Sequence, residues 1–140
     1  MIMRKTRAAF TLLELLVVIG LIGIIVAMSS FGYVNYSQKS RDARRRIDLQ
    51  QLRSALELYR SNTSEGVYPT SNQYGSGTTS VLVTAGLINT IPLDPAGNTY
   101  VYTPSPLGCD NTTSFCISYT LSTTLEINSQ SYTVTPNSIN

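Results

Sequence analysis

Apolar side chains occupy nearly every position from Leu12 to Met28, interrupted only by Glu14, Gly20 and Gly23. Phe10 to Ser29 makes about 20 residues, or about 30 Å as a helix, which matches the hydrocarbon core of a bilayer. Downstream the pattern changes without a break. From Phe31 to Tyr59 there is no proline and a single glycine, Gly32. Leu49, Leu52, Leu56 and Tyr59 fall at i, i+3, i+7 and i+10, one face of a helix, and Ala43, Ile47 and Ala55 extend it. The pattern predicts one helix from about Phe10 to Arg60, of order 75 Å long. Its first half is apolar all round and its second half is amphipathic.

The rest of the chain is punctuated by turns. Ser61 to Ser80 is a polar loop, and Thr79 to Leu87 is a candidate short helix ended by Gly86. Ile91-Pro92-Leu93-Asp94-Pro95-Ala96-Gly97-Asn98 is dense in turn residues. Thr99 to Thr103 reads as a strand. Phe115, Ile117, Tyr119 and Leu121 alternate with Cys116, Ser118 and Thr120, which predicts a half-buried strand. Leu125 to Ile127 and Ser131 to Thr135, around Asn128-Ser129, suggest a closing hairpin. The fold class expected is α+β, a long N-terminal helix packed on a small antiparallel sheet.

Composition narrows the chemistry. Charged residues make up 13% of the 140-residue chain, against about 25% in an average soluble domain. The chain lacks histidine and has only two cysteines, Cys109 and Cys116, so no mixed Cys/His zinc site can form. Those two cysteines, close together in a polar stretch, pair as a disulfide if the region is exported, or stay as free thiols. There are no paired acids at useful spacing and no phosphate-cradling glycine loop, and the many Ser and Thr residues lack an activating base. An enzyme is not expected, nor is a cofactor. Lys39 to Arg46 (KSRDARRR) is basic. Asp42 precedes Arg45 and Arg46 by three and four residues, and Arg53 precedes Glu57 by four, as charged pairs on a helix do. Without interleaved aromatics, the basic run reads as a solvated helix face or as subunit-to-subunit ion pairs rather than as a nucleic-acid contact.

Glu14 is the anomaly. A carboxylate within an apolar span costs of order 2.5–3.5 kcal/mol at its centre and less near an end, so it needs a partner. Arg4, Lys5 and Arg7 precede the span and hold the N-terminus in the cytoplasm by the positive-inside rule. Three readings compete: a signal peptide cut near Ala27 or Ser29, a plain anchor, and a short basic leader cut before Phe10. In the third, cleavage between Ala9 and Phe10 frees an α-amine about 6 Å along the helix from Glu14. A staggered neighbouring chain could offer its own amine to this carboxylate, neutralising two charges and fixing the register between copies.

Arg7-Ala8-Ala9-Phe10-Thr11-Leu12-Leu13-Glu14 and the apolar run that follows resemble the N-terminus of type IV pilins and type II secretion pseudopilins. "LELYRSNTSEGVYPT" and then "IPLDPAGNTYVY" resemble the major-pseudopilin pattern, so the likeness covers most of residues 4 to 103. The resemblance implies the pilin fold and a structural filament subunit. It implies cleavage between Ala9 and Phe10 by a prepilin peptidase, methylation of Phe10 and an assembly role for Glu14. The family places glycine before the cut, where this chain has Ala9, which is also small. The implied organisation is a leader over 1–9, a transmembrane and filament-core half-helix over 10–30, an amphipathic half over 31–60 and a globular head over 61–140. Gly20 and Gly23 would permit close packing or local unwinding in the filament.

The implied partners are other copies of the chain, the peptidase and methyltransferase, an inner-membrane assembly platform and the membrane itself. The implied location is a single-pass precursor with an extracytoplasmic head, and then a periplasmic or cell-surface filament. The short head and the Asp94-Pro95 region lean toward a pseudopilin, and the basic run is consistent with a DNA-uptake filament. Many such pseudopilins hold calcium in a C-terminal loop. Calcium takes 6–8 oxygen ligands, and after Tyr100 this chain offers only the carboxylates of Asp110 and Glu126, so no calcium site is expected. The competing reading is a membrane-anchored or secreted β-rich module that binds a ligand through its Tyr/Ser/Thr-rich face.

Overall fold

The computed structural model describes residues 10–30 and 33–137. The chain forms two compact units that divide between Ser37 and Gln38. In the first, helix α1 runs Leu12–Ser30. It starts at Leu12 because Thr11 caps it. The Glu14 amide donates to Thr11 Oγ1 at 3.2 Å, and the Thr11 amide donates to Glu14 Oε2 at 3.0 Å. This reciprocal box satisfies two otherwise orphaned donors. The helix passes through Gly20 and Gly23 uninterrupted.

All described side chains from Phe10 to Met28 are exposed. With 19 residues α1 is about 28 Å long. Among the described residues no helix is long and apolar enough to cross a membrane. The Thr11 cap leaves Phe10 and Thr11 outside the helix. The continuity expected through Phe31 and Gly32, and the leader over 1–9 with Ala9, lie outside the described residues.

Helix α2 runs Tyr33–Asn62. From Gln38 onward it belongs to the head. Leu49, Leu52, Ala55 and Leu56 are buried as the periodicity predicts, with Tyr59 half-buried against them. Toward the N-terminal side, however, the stripe changes chemistry. Ile47 is 66% exposed and Ala43 is exposed. The inward positions are Asp42, Arg45 and Asp48, all buried. The expected apolar extension through Ala43 and Ile47 is therefore replaced by an ionic one, because the helix turns these charges onto the face that carries Leu49 and Leu52.

Two short helices follow. The first, α3 (Ser71–Tyr74), lies inside the stretch expected to be loop, and Thr70 and Gln73 close a capping box on it. Ser80 caps α4 (Val81–Thr84) with its hydroxyl on the Leu82 amide. The chain then turns at Gly86, φ 70°, a left-handed conformation that favours glycine. Strands β1 (Val101–Ser105), β2 (Ser118–Thr124) and β3 (Ser131–Val134) form an antiparallel sheet in that order. Tyr102 faces Leu121 across β1 and β2, and Leu121 faces Val134 across β2 and β3.

Two strand expectations are corrected. Phe115 and Ile117 do not point into the core but are 47% and 66% exposed, while Cys116 is buried. The alternation reverses between Cys116 and Tyr119, because the disulfide draws Cys116 inward and the strand starts only at Ser118. Leu125 to Ile127 is not a strand but part of the β2–β3 connection. Asn128 and Ser129, at φ 65° and 49°, make the turn there, as a tight hairpin requires.

α2 and β2 match in length. Glu57 on the helix meets the Tyr119 hydroxyl at the start of β2, and Asp42 meets the amides of Glu126 and Ile127 beyond its end. Fifteen helical steps and seven extended ones both span about 23 Å. The sheet thus lies against the helix with hydrogen bonds at both ends and an apolar core between.

Candidate functional site: the N-terminal segment and the head's ionic lock

The N-terminal segment presents two of the residues singled out for processing and assembly. Phe10 precedes the helix and is 84% exposed. Ala9, on the other side of the expected scissile bond, lies outside the described residues. The Glu14 carboxylate accepts hydrogen bonds from the Thr11 amide and hydroxyl, each at 3.0 Å. In a single chain the carboxylate is therefore held by its own helix cap. Around it Leu12, Leu13, Leu15, Leu16 and Ile19 are all more than half exposed. A continuous apolar helix surface of this size is not stable against water and calls for a cover.

In the head, Arg45 draws together three segments of the chain. Its Nη1 donates to Asp42 Oδ1 at 2.6 Å, its Nε and Nη2 donate to Asp94 at 2.5 and 2.9 Å, and its Nη2 reaches Glu126 Oε1 at 2.9 Å. Arg41 adds a second fork to Glu126, with its Nε on Oε1 at 2.7 Å and its Nη2 on Oε2. The Asp42 carboxylate also accepts the backbone amides of Glu126 and Ile127 at 2.8 and 2.9 Å. Helix, 91–98 turn and β2–β3 connection are thus tied at one buried point.

The 91–98 segment is shaped to deliver its acid. The Gly97 amide closes a turn on the Asp94 carbonyl at 2.7 Å, and the Ala96 amide donates to Asp94 Oδ1. Asp94 is buried, and the Arg45 guanidinium lowers its carboxyl below the ordinary value. Glu126 is pushed down to about 2, first by Arg41 and then by Arg45. Burial alone would raise the Asp42 carboxyl, but the amides of Ile127 and Glu126, together with Arg45, outweigh it and the carboxyl is lowered.

This lock was not identified as a unit from sequence. Its signals were present separately, in the Asp42–Arg45 spacing and in the Asp94-Pro95 turn. The stripe Asp42, Arg45, Leu49, Leu52 would have joined the first of them to the core. Of the three charged pairs expected on α2, Asp42–Arg45 forms. The other two do not, since Arg46 lies over the Tyr132 ring, and Arg53 donates to the Pro136 carbonyl while Glu57 accepts the hydroxyls of Tyr68 and Tyr119.

At the other end of the sheet a disulfide joins Cys109 and Cys116, with Cα atoms 5.3 Å apart. Inside the loop it closes, Asp110 accepts the amides of Thr112, Thr113 and Ser114 and the Thr113 hydroxyl. These donors hold its carboxyl well below the usual range. Asn111 ties the loop to the core by donating to the Tyr68 carbonyl and accepting the Cys116 amide. Asp110 and Glu126, the two carboxylates after Tyr100, are thus turned toward N–H and O–H donors or guanidinium groups.

The tyrosines go mainly inward. Tyr74 and Tyr102 stack with centroids 4.2 Å apart, and Tyr68 meets Tyr119 edge-on at 4.8 Å. Burial raises the hydroxyl pKa values of Tyr68, Tyr74, Tyr102 and Tyr119. The ligand-binding reading needs these rings on a recognition face, and the fold uses them as core.

Comparison with known proteins agrees with this architecture. Residues 4–30 match the model of the prokaryotic N-terminal methylation motif. The chain is 32% identical over 112 residues to the type II secretion system core protein G of Vibrio cholerae, covering 71% of this chain and 72% of that protein. It is 31% identical over 113 residues to the Escherichia coli protein of the same name, covering 71% and 74%. The type IV major fimbrial protein FimA of Dichelobacter nodosus is 34% identical over 64 residues, 46% of this chain and 41% of that protein. No solved structure matches the chain. An N-terminal methylation motif on an exposed apolar helix, a helix-on-sheet head and this similarity to core protein G over most of both chains place the protein in the pilin and pseudopilin family.

Proposed function

We propose that the protein is a structural subunit of a pseudopilus or type IV pilus-like filament, held at the membrane by its apolar N-terminal segment before assembly. The observation that carries this reading is α1, which exposes apolar side chains around its whole circumference. Covering a Leu, Ile or Val side chain contributes about 1.5–3 kcal/mol. Lipid can provide that cover before assembly, and the same helices of neighbouring copies can provide it afterwards. The transfer between them gains little hydrophobic free energy, so packing and polar pairing must favour the filament.

Glu14 supplies the polar pairing. A prepilin peptidase cuts between Ala9 and Phe10, the new Phe10 amine is methylated, and the amine of a neighbouring copy meets the Glu14 carboxylate. In the single chain the Thr11 amide and hydroxyl hold that carboxylate until such an amine replaces them. The chain is a substrate of the peptidase and methyltransferase, and an inner-membrane platform feeds it into the filament. The head then lies in the periplasm or at the cell surface. Glu14→Ala tests the reading. N-terminal processing should persist while incorporation into sheared filaments falls at least tenfold, on the order of the cost of one unpaired charge. Unchanged incorporation would remove the role given to the carboxylate.

A further inference from the structure

The head is chemically asymmetric along α2. At the end where the chain enters, Lys39 and Arg44 are exposed without an acidic partner among the described residues. Beside them Ile47 is 66% exposed, and three shallow depressions of about 580, 390 and 470 Å³ all include it in their walls. Arg46 lies over the Tyr132 ring at the edge of this patch. The acids of this end are used internally, since Asp42 and Asp94 are buried and Glu126 is forked by Arg41 and Arg45. What faces outward is an apolar residue flanked by cations.

The opposite end has the complementary pattern. Arg44 and Asn62 are about 27 Å apart along the helix. Just past Asn62, Glu65 is exposed. The disulfide loop is fixed at this same end, because the Tyr68 amide donates to the Cys116 carbonyl at 2.8 Å and Asn111 donates to the Tyr68 carbonyl. It carries exposed Asp110 together with Leu107 and Phe115, which are 87% and 47% exposed. The disulfide and the Asp110 turn hold these groups in a fixed arrangement, so little ordering is needed when they are covered.

We infer that the disulfide-loop end of one head docks on the Lys39–Arg44–Ile47 face of a second copy of this chain. Charge and apolar surface match across this contact, and its two sides are different patches of the same molecule. Such a heterologous contact does not close on itself and propagates as an open helical array. The inference rests on the filament reading and assigns it a head-to-head-unit contact in addition to the N-terminal helices.

The test is charge exchange in the full chain, read as sheared-filament yield. Arg44→Glu alone and Glu65→Arg alone should each lower the yield by at least about fivefold, because each removes one exposed attraction of about 1 kcal/mol and sets like charges opposite each other. The double variant Arg44→Glu/Glu65→Arg should restore it, which a folding defect would not do. Unchanged yields for both single variants, with Glu14→Ala still defective, would overturn this contact and leave the filament reading standing. If Glu14→Ala is unaffected as well, the filament reading itself fails. Should Arg44→Glu instead lose binding to anionic vesicles or to DNA while filament yield holds, the basic face belongs to a polyanion and the proposal is overturned.

Discussion

Arg45 shows how a single residue decides the identity of a head. A guanidinium that is almost fully buried would be costly if unpaired, yet here it meets carboxylates from three separated segments. Such clusters contribute less net stability than their geometry suggests, because desolvation offsets the attraction, but removing one member leaves buried charge behind. Arg45→Met should therefore cost the head about 3–5 kcal/mol at neutral pH, measured by urea unfolding of the full chain in detergent. The same variant should lose part of its acid sensitivity. Asp42, Asp94 and Glu126 all have carboxyl pKa values below their ordinary ones when folded. For such groups the stabilisation is present above the unfolded value and is lost as pH falls through the folded one. For Glu126 that window runs from 4.5 down to about 2. The wild-type head should lose stability across it, and Arg45→Met should do so less steeply. An equally steep acid limb in the variant would deny the lock its electrostatic role.

Among the elements, legibility followed the strength of the local pattern. The core stripe of α2 was readable at Leu49, Leu52 and Leu56 because three leucines on one face bury together whatever they pack against. It failed at Ala43 and Ile47, where tertiary pairing of Asp42 and Arg45 set the inward face and hydropathy alone pointed the wrong way. β2 was readable at Tyr119 and Leu121 but not at Phe115 and Ile117, since a covalent link between Cys109 and Cys116 overrides alternation. α3 was missed because four residues cannot show a helical period, although Thr70 and Gln73 carry its capping signature. The disulfide loop closes a short ring, which typically contributes about 2–3 kcal/mol. Reduction, or replacement of both cysteines by serine, should lower head stability by that amount in the same urea measurement. A loss near zero would mean that Asp110 and Asn111 hold the loop unaided.

Viewed as a whole, the molecule combines a unit that exposes its apolar surface with one that buries it. The head closes its own core and satisfies its buried charges internally. The N-terminal helix does neither on its own scale, and its single acid is parked on its own cap. The head's fold class was legible in sequence because a long amphipathic helix followed by short alternating segments admits few other packings. The N-terminal segment was legible because one carboxylate in an apolar run demands an explanation. The central claim is that this segment is clipped to create the partner of Glu14. Its most direct test is the N-terminal residue and intact mass of the protein recovered from filaments sheared off its native cells. The expected result is a chain that begins at N-methylated Phe10. A chain beginning at Met1, or one beginning near Ser30, would contradict it.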